Sequence, residues 1–304
     1  LCDVKIVVIN SRTGLLIKLH HIIGDAWTMS LLAKQFESII NSNDLDVYQY
    51  SDYISSEESY IQSKRCKKDK DFFVNQFKKC DEVTYLSDKQ SDNYAAGRWS
   101  VKLSKELTAQ IKAYAQKNSS SVFSVFMTLL GVYISRTKMN AEKFYIGTPV
   151  LNRTGIKEQN TAGMFINTVP VLIQINSEQA FDDNLQNTTD TIMSVLRHQH
   201  YNYEDLLSDL RSEYKFSEKL YDVILSYQNA KTTVGNAKTE WYSCGMQAET
   251  LQIHIDDRDT AGEFTINYDY RTDLISQKQI KGMHEHLSNL LHDILNNHDK
   301  KVHE

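Results

Sequence analysis

Two adjacent histidines and an aspartate, His20, His21 and Asp25, stand in the stretch GLLIKLHHIIGDAW that begins at Gly14. Imidazole exchanges a proton near neutral pH, so a histidine delivered at the end of a rigid strand suits general acid/base work. Alternation along such a strand sends His20 and His21 to opposite faces, so one of the two points into a given cleft. Asp25, in the turn beyond, is placed to accept the first N–H groups of a helix and to pair with an arginine, fixing the loop that aims the histidine. Zinc is disfavoured: adjacent histidines diverge, no third ligand falls at a recognised spacing, and HExxH is absent. A pair of histidines with purely structural duties is the alternative.

The elements that must position these residues follow from periodicity. VKIVVIN and LLIKLH read as strands joined by a hairpin turn at SRTG. Met29, Leu32, Phe36, Ile39 and Ile40 recur at helical spacing and predict a helix over about 26–41. A Lys-rich stretch of helical character runs to about Cys80, and the unpatterned segment between Leu86 and Trp99 marks a boundary between two units. Helices are expected over 104–117, 121–138 and 178–198, the second apolar almost all round and therefore buried. KFYIGTPV, MFINTVPVLIQI, YDVILSYQ, LQIHIDD and EFTINYDYR read as strands, with LNRTGIKEQNTAG a polar loop after the first. Ile280, Met283, Leu287, Leu290, Leu291 and Ile294 share a face of a closing helix. Strands mixed with packed helices point to an α/β or two-layer α+β fold.

Composition excludes several classes. The 304 residues carry a net charge of −5, with 24% charged and 41% hydrophobic residues, which is the balance of a globular protein long enough for two compact units. The one dense basic run, SKRCKKDKD, is broken by aspartates and reads as a solvated helix face, not a nucleic-acid groove. Cys2, Cys66, Cys80 and Cys244 have neither CxxC spacing nor disulfide-scaffold density, so reduced thiols in a cytoplasmic protein are expected. No apolar run has the length of a membrane span. His284, His286, His292 and His298 share no ligand face, so solvation is expected of them. The chain opens inside a strand, LCDVKIVVIN, which suggests a piece of something longer.

HHIIGDAW resembles the HHxxxDG signature of the condensation domains of non-ribosomal peptide synthetases, relatives of chloramphenicol acetyltransferase. Four further segments follow in that family's order: IGTPVLNR, GMFINTVPV, HQHYNYEDL and YDVILSYQN. The resemblance implies two chloramphenicol-acetyltransferase-like lobes, the first incomplete over residues 1–95 and the second over 96–304. The family segment that precedes the histidine strand, with its RHExLRT-like motif, has no counterpart here. Ala26 replaces the family's glycine after the aspartate, which is tolerable where that residue is helical and not where it needs positive φ.

What the resemblance implies is amide formation: the amine of an acceptor aminoacyl thioester attacks a donor acyl or peptidyl thioester, each on the phosphopantetheine of a carrier protein. The domain itself would bind no cofactor or metal. Donor and acceptor peptidyl carrier proteins and an adjacent adenylation domain would be its partners, with no nucleic acid or membrane, in the cytoplasm. His21 would face the tunnel between the lobes, as base or as positioner, with His20 beside it and Asp25 beneath. Amides at the helix start could hold the developing oxyanion. Gly24, Ala26 and Arg153 would support the loop, Arg153 binding Asp25 through two parallel hydrogen bonds; an exposed loop arginine is the alternative for Arg153, and an arginine of the absent N-terminal segment the rival partner for Asp25. Trp27, Asn167, Thr168, Gln228 and Asn229 would line the tunnel; loop-end and strand-end duties are the alternatives for the last four. An epimerisation domain, a free-standing acyl-CoA- or carrier-dependent acyltransferase, and a non-catalytic recruiting relative are the competing readings.

Overall fold

The computed structural model describes residues 1–43, 48–138, 141–229, 240–258, 262–297 and 300–303. His298 lies outside them. The chain forms two compact units that are not continuous in sequence: Leu1–Cys66 with Leu151–Asn167 and Thr232–Glu240, and Lys67–Val150 with Thr168–Lys231 and Trp241–Glu304.

The first unit opens with an antiparallel hairpin of β1 (Cys2–Ile9) and β2 (Arg12–Leu19), in register from Cys2 opposite Leu19 to Ile9 opposite Arg12. Asn10 and Ser11 take positive φ between the strands, so the turn begins one residue before SRTG. The hairpin is a two-stranded sheet by itself, and apolar residues such as Val4, Ile6, Val8 and Leu16 are exposed on it. A 3₁₀ turn over His21–Ile23 then leads into α1 (Ala26–Ile40). The Lys-rich stretch resolves into α2 (Tyr50–Ile61) and α3 (Lys64–Phe77), the latter continuing into the second unit.

The second unit is a six-stranded sheet in the order β3-β8-β7-β6-β4-β5 with helices packed on it. Its strands are β3 (Ala96–Lys102), β4 (Lys143–Val150), β5 (Asn167–Gln174), β6 (Val223–Gln228), β7 (Leu251–Asp256) and β8 (Thr265–Arg271). β6 runs parallel to β4 and β7, whereas β8 is antiparallel to β7 and β3. Its helices are α4 (Lys105–Lys117), α5 (Val122–Thr137), α7 (Phe181–Arg197), α8 (Tyr203–Tyr214) and α9 (Gln277–Asn296); a one-turn α6 (Ile156–Gln159) belongs to the first unit. Ser104, Ser121 and Ser276 cap α4, α5 and α9 by accepting N–H bonds at their starts. α5, apolar all round, is buried from Ser124 to Val132, and α9 buries the stripe Ile280, Met283, Leu287, Leu291 and Ile294. The fold is mixed α/β. Among the described residues no single helix is long and apolar enough to cross a membrane.

Three elements depart from the sequence reading. β3 begins at Ala96, inside the stretch read as unpatterned, because Gly97 and Trp99 supply the apolar face of the edge strand paired with β8. β5 begins at Asn167 and not Met164: the carbonyl of Met164 accepts the Tyr50 hydroxyl (2.7 Å) and the Phe165 N–H goes to Asp25 (3.2 Å), so neither group joins a ladder. α8 is a helix that the periodicity argument leaves out, its residues entering only through the HQHYNYEDL motif. Its start is marked by Asn202, whose side chain accepts the Glu204 N–H at 2.8 Å, and its buried face by Leu206, Leu207 and Leu210.

Candidate functional site around the histidine turn

The site is built from one loop of the first unit and the segment Leu151–Asn167. β2 ends at Leu19, so the two histidines do not alternate along a strand. His20 is the cap of the 3₁₀ turn with extended backbone, φ −70° and ψ 133°, and its Nδ1 accepts the Ile22 N–H at 3.2 Å. His21 is the first residue of the turn itself. Both rings are exposed, but His20 is engaged by its own turn, while the His21 ring takes no hydrogen bond among the described residues. The two are distinguished by capping and not by strand faces, because a 3₁₀ turn has no two-residue period.

Asp25 is the N-cap of α1. Its Oδ1 accepts the Thr28 N–H at 2.8 Å, and the residue is 2% exposed. That bond occupies one of the helix-start amides expected to be open for an oxyanion. Ala26 is the first residue of α1 and is not among the residues of positive φ, so the replacement of glycine carries no backbone strain. Gly24 has φ −173°, ordinary extended backbone, but a Cβ there would stand 3.0 Å from the Thr28 methyl.

Arg153 reaches Asp25 from the loop after β4. A single nitrogen, Nη2, donates to Oδ1 at 3.1 Å and Oδ2 at 3.2 Å, so the pair is not the two-nitrogen fork anticipated from arginine chemistry. The other nitrogen, Nη1, is held by backbone carbonyls of Glu158 (2.5 Å) and Thr161 (2.6 Å), and the guanidinium lies over the Phe165 ring at 3.9 Å. Asn152, at φ 51°, turns the chain into this position; asparagine tolerates that left-handed conformation. Burial pulls the Arg153 pKa below its ordinary value, opposed by the charge and hydrogen bonds of Asp25. A charge so placed persists because Nη1 and Nη2 are answered by the carboxylate and by backbone carbonyls, while Nε is buried without a hydrogen-bond partner.

The structure adds residues that sequence reasoning missed. The Thr28 hydroxyl lies 2.7 Å from the Gly163 carbonyl and 3.0 Å from Asp25 Oδ1, and it accepts the Gly163 N–H at 3.0 Å. Gly163 is packed against Tyr50 so closely that an added Cβ would lie 2.1 Å from a ring carbon. Tyr50 meets Phe165 edge to face and Tyr53 meets it tilted, with centroids at 5.4 Å and 4.2 Å. Burial first, then neighbouring Glu57, raises the pKa of both tyrosines, so they remain neutral hydrogen-bonding groups. Gly163 stands inside the polar loop just ahead of the MFINT segment, but nothing local indicates that a ring covers it.

The remaining predicted residues are placed as follows. The Trp27 indole N–H donates to the Gln159 carbonyl at 2.8 Å. Asn167 is buried at the start of β5, and the Thr168 carbonyl accepts the Tyr221 hydroxyl at 3.4 Å. Gln228 ends β6 half-buried beside His254, and Asn229 is exposed after it. His284 is not solvated: burial lowers its pKa, and its Nδ1 lies 2.9 Å from the Tyr268 hydroxyl under the sheet.

A condensation-domain family model matches residues 2–304. The chain belongs to the condensation-domain family. It is 32% identical over 297 residues to surfactin synthase subunit 1 of Bacillus subtilis, covering 94% of this chain and 8% of that protein. A plipastatin synthase of the same organism is 28% identical over 299 residues, with 91% and 11% covered. The chain thus spans about a tenth of the length of the curated relatives it matches. Among solved structures, the condensation domain of the monacolin K polyketide synthase MokA superposes with a TM-score of 0.84 at 16% identity, over 99% of this chain and 74% of that one. The first condensation domain of the CDA synthetase gives 0.81 at 17%, over 100% and 69%. These likenesses show the fold. The chain is a condensation domain by the family model, and its curated relatives are synthases.

Proposed function

We propose that this domain joins a donor acyl or peptidyl thioester to the amine of an acceptor aminoacyl thioester, each carried on the phosphopantetheine of a peptidyl carrier protein. The observation that carries this reading is the built turn that presents His21: an exposed imidazole, unclaimed by its own turn, four residues before a buried Asp25 that caps α1 and pairs with Arg153. The amine nitrogen attacks the thioester carbonyl, the C–N bond forms, and the thiolate leaves after the tetrahedral adduct loses the amine's extra proton. An α-amine has a reference pKa of about 7.7–8.0, so it must be presented neutral or deprotonated on addition. His21 holds that amine or takes its proton; Asp25 and Arg153 hold the turn.

Trp27, Asn167, Thr168, Gln228 and Asn229 are assigned to the substrate path, residues 1–95 to the N-terminal lobe and 96–304 to the C-terminal lobe. In this reading the phosphopantetheine belongs to the substrates and not to the domain, an adenylation domain loads the acceptor carrier, and the setting is cytoplasmic. The relatives, being synthases of about ten times this length, support multidomain partners.

The test is single-turnover transfer between two loaded carriers in the full-length protein. His21→Ala is expected to slow amide formation by about 10²–10⁴-fold, the usual contribution of an acid/base group, and His20→Ala by much less. Small, equal losses would remove His21 from the chemistry. Release of an epimerised aminoacyl group in place of an amide would replace condensation with epimerisation.

A further inference from the structure

The six-stranded sheet carries a second polar constellation, built from residues on one face of four neighbouring strands. Ser226 of β6 is paired in register with His254 of β7, and Arg98 of β3 with Asp269 of β8. Arg98 grips Asp269 with a true fork, Nε to Oδ1 and Nη2 to Oδ2, both at 2.6 Å. Asp269 Oδ2 also lies 3.3 Å from His254 Nε2. On the far side of the imidazole, His254 Nδ1 is 2.7 Å from the Ser226 hydroxyl and 3.1 Å from Gln228 Nε2.

These contacts fix the protons. Burial pushes the Asp269 carboxyl up, but the hydrogen bonds and charge of Arg98, joined by His254, overturn that and hold it at about 2. An ionised carboxylate only accepts, so the His254 nitrogen facing it carries its hydrogen. At Nδ1 the ring faces the Gln228 N–H, which can only donate, and the Ser226 hydroxyl, so a lone pair there satisfies both. A proton at Nδ1 would instead face the Gln228 N–H, donor against donor. With its amide nitrogen turned to His254, Gln228 has its carbonyl turned away, on the same face and at a half-buried position.

We propose that His254 is a positioning residue that sets the Gln228 amide so that its carbonyl accepts an N–H of the carrier-borne substrate. The inference rests on the condensation reading for the identity of that substrate, and on the hydrogen-bond geometry for everything else. Two sources share the chemistry, the amine of the acceptor aminoacyl group and an amide of the pantetheine arm.

Three measurements test it. NMR of isotope-labelled histidine nitrogens is expected to show hydrogen on Nε2 of His254 and none on Nδ1, and hydrogen on Nδ1 in Gln228→Glu, where a carboxylate replaces the amide donor. Gln228→Leu is expected to raise the KM for an aminoacyl N-acetylcysteamine thioester about three- to tenfold, the worth of one neutral hydrogen bond, leaving kcat within about twofold. Gln228→Glu, which keeps an oxygen in place, is expected to restore KM. Free pantetheine as a competing ligand separates the sources: its binding weakens in Gln228→Leu if the arm amide is bound and is unchanged if the amine is. A hydrogen on Nδ1 of wild-type His254, or unchanged KM and pantetheine binding in Gln228→Leu, overturns the proposal. Loss of the condensation reading appears separately, as wild-type protein that makes no amide while the histidine spectra and pantetheine binding still report on Gln228.

Discussion

Each compact unit contains a carboxylate–arginine pair, and the two are built on opposite plans. Asp25–Arg153 is sealed, with side chains 0% and 1% exposed, and its arginine divides its donors between the carboxylate and backbone carbonyls of its own loop. Asp269–Arg98 lies nearer the surface, at 9% and 24%, and its arginine uses a parallel fork. The sealed pair is a loop fastener: removing either member strands a buried charge and the carbonyls around it. The forked pair is a charge-setting device, in which an arginine at a sheet edge keeps a carboxylate ionised and so orients a histidine.

The largest effect expected of this contrast is at the sealed pair. Asp25→Ala and Arg153→Ala should each cost about 3–5 kcal/mol, because each leaves an uncompensated buried charge. The double variant should cost much less than their sum, and a denaturant-unfolding cycle measures the coupling. Additive losses would mean that the backbone carbonyls alone hold Arg153.

Acid should weaken the forked pair. Its folded-state pKa of about 2 lies below the ordinary value of 3.8, so the stabilisation is complete above pH 4 and is lost as pH falls toward 2. The difference amounts to about 2 kcal/mol, readable as the gap between wild type and Asp269→Asn in unfolding free energy across that window. A gap that stays constant with pH would show that the carboxylate is not held ionised.

The smallest expected effect separates fork from point charge. Arg98→Lys keeps the charge but gives up one of two parallel bonds, for a loss of about 1 kcal/mol by thermal or denaturant unfolding. A loss as large as at Arg153 would make the sheet pair a fastener too, and the distinction would fail.

Much of this molecule is readable from its residues alone. Periods of two and of about three and a half residues in the apolar positions determine β4 and β6–β8 and the helices α1, α4, α5, α7 and α9, because those elements bury one stripe or one face and the pattern of burial is written in side-chain type. Asp25 as a helix cap is equally local, a side-chain oxygen three residues from the N–H it accepts. What tertiary structure decided is of another kind. Which nitrogen of Arg153 meets Asp25, why Gly163 tolerates no side chain beside Tyr50, and how Arg98 reaches His254 through Asp269 all depend on groups more than a hundred positions apart. Hydrogen bonds and close contacts over such separations leave no periodic trace in the chain. They depend on distances of a few tenths of an ångström, which only the folded backbone sets.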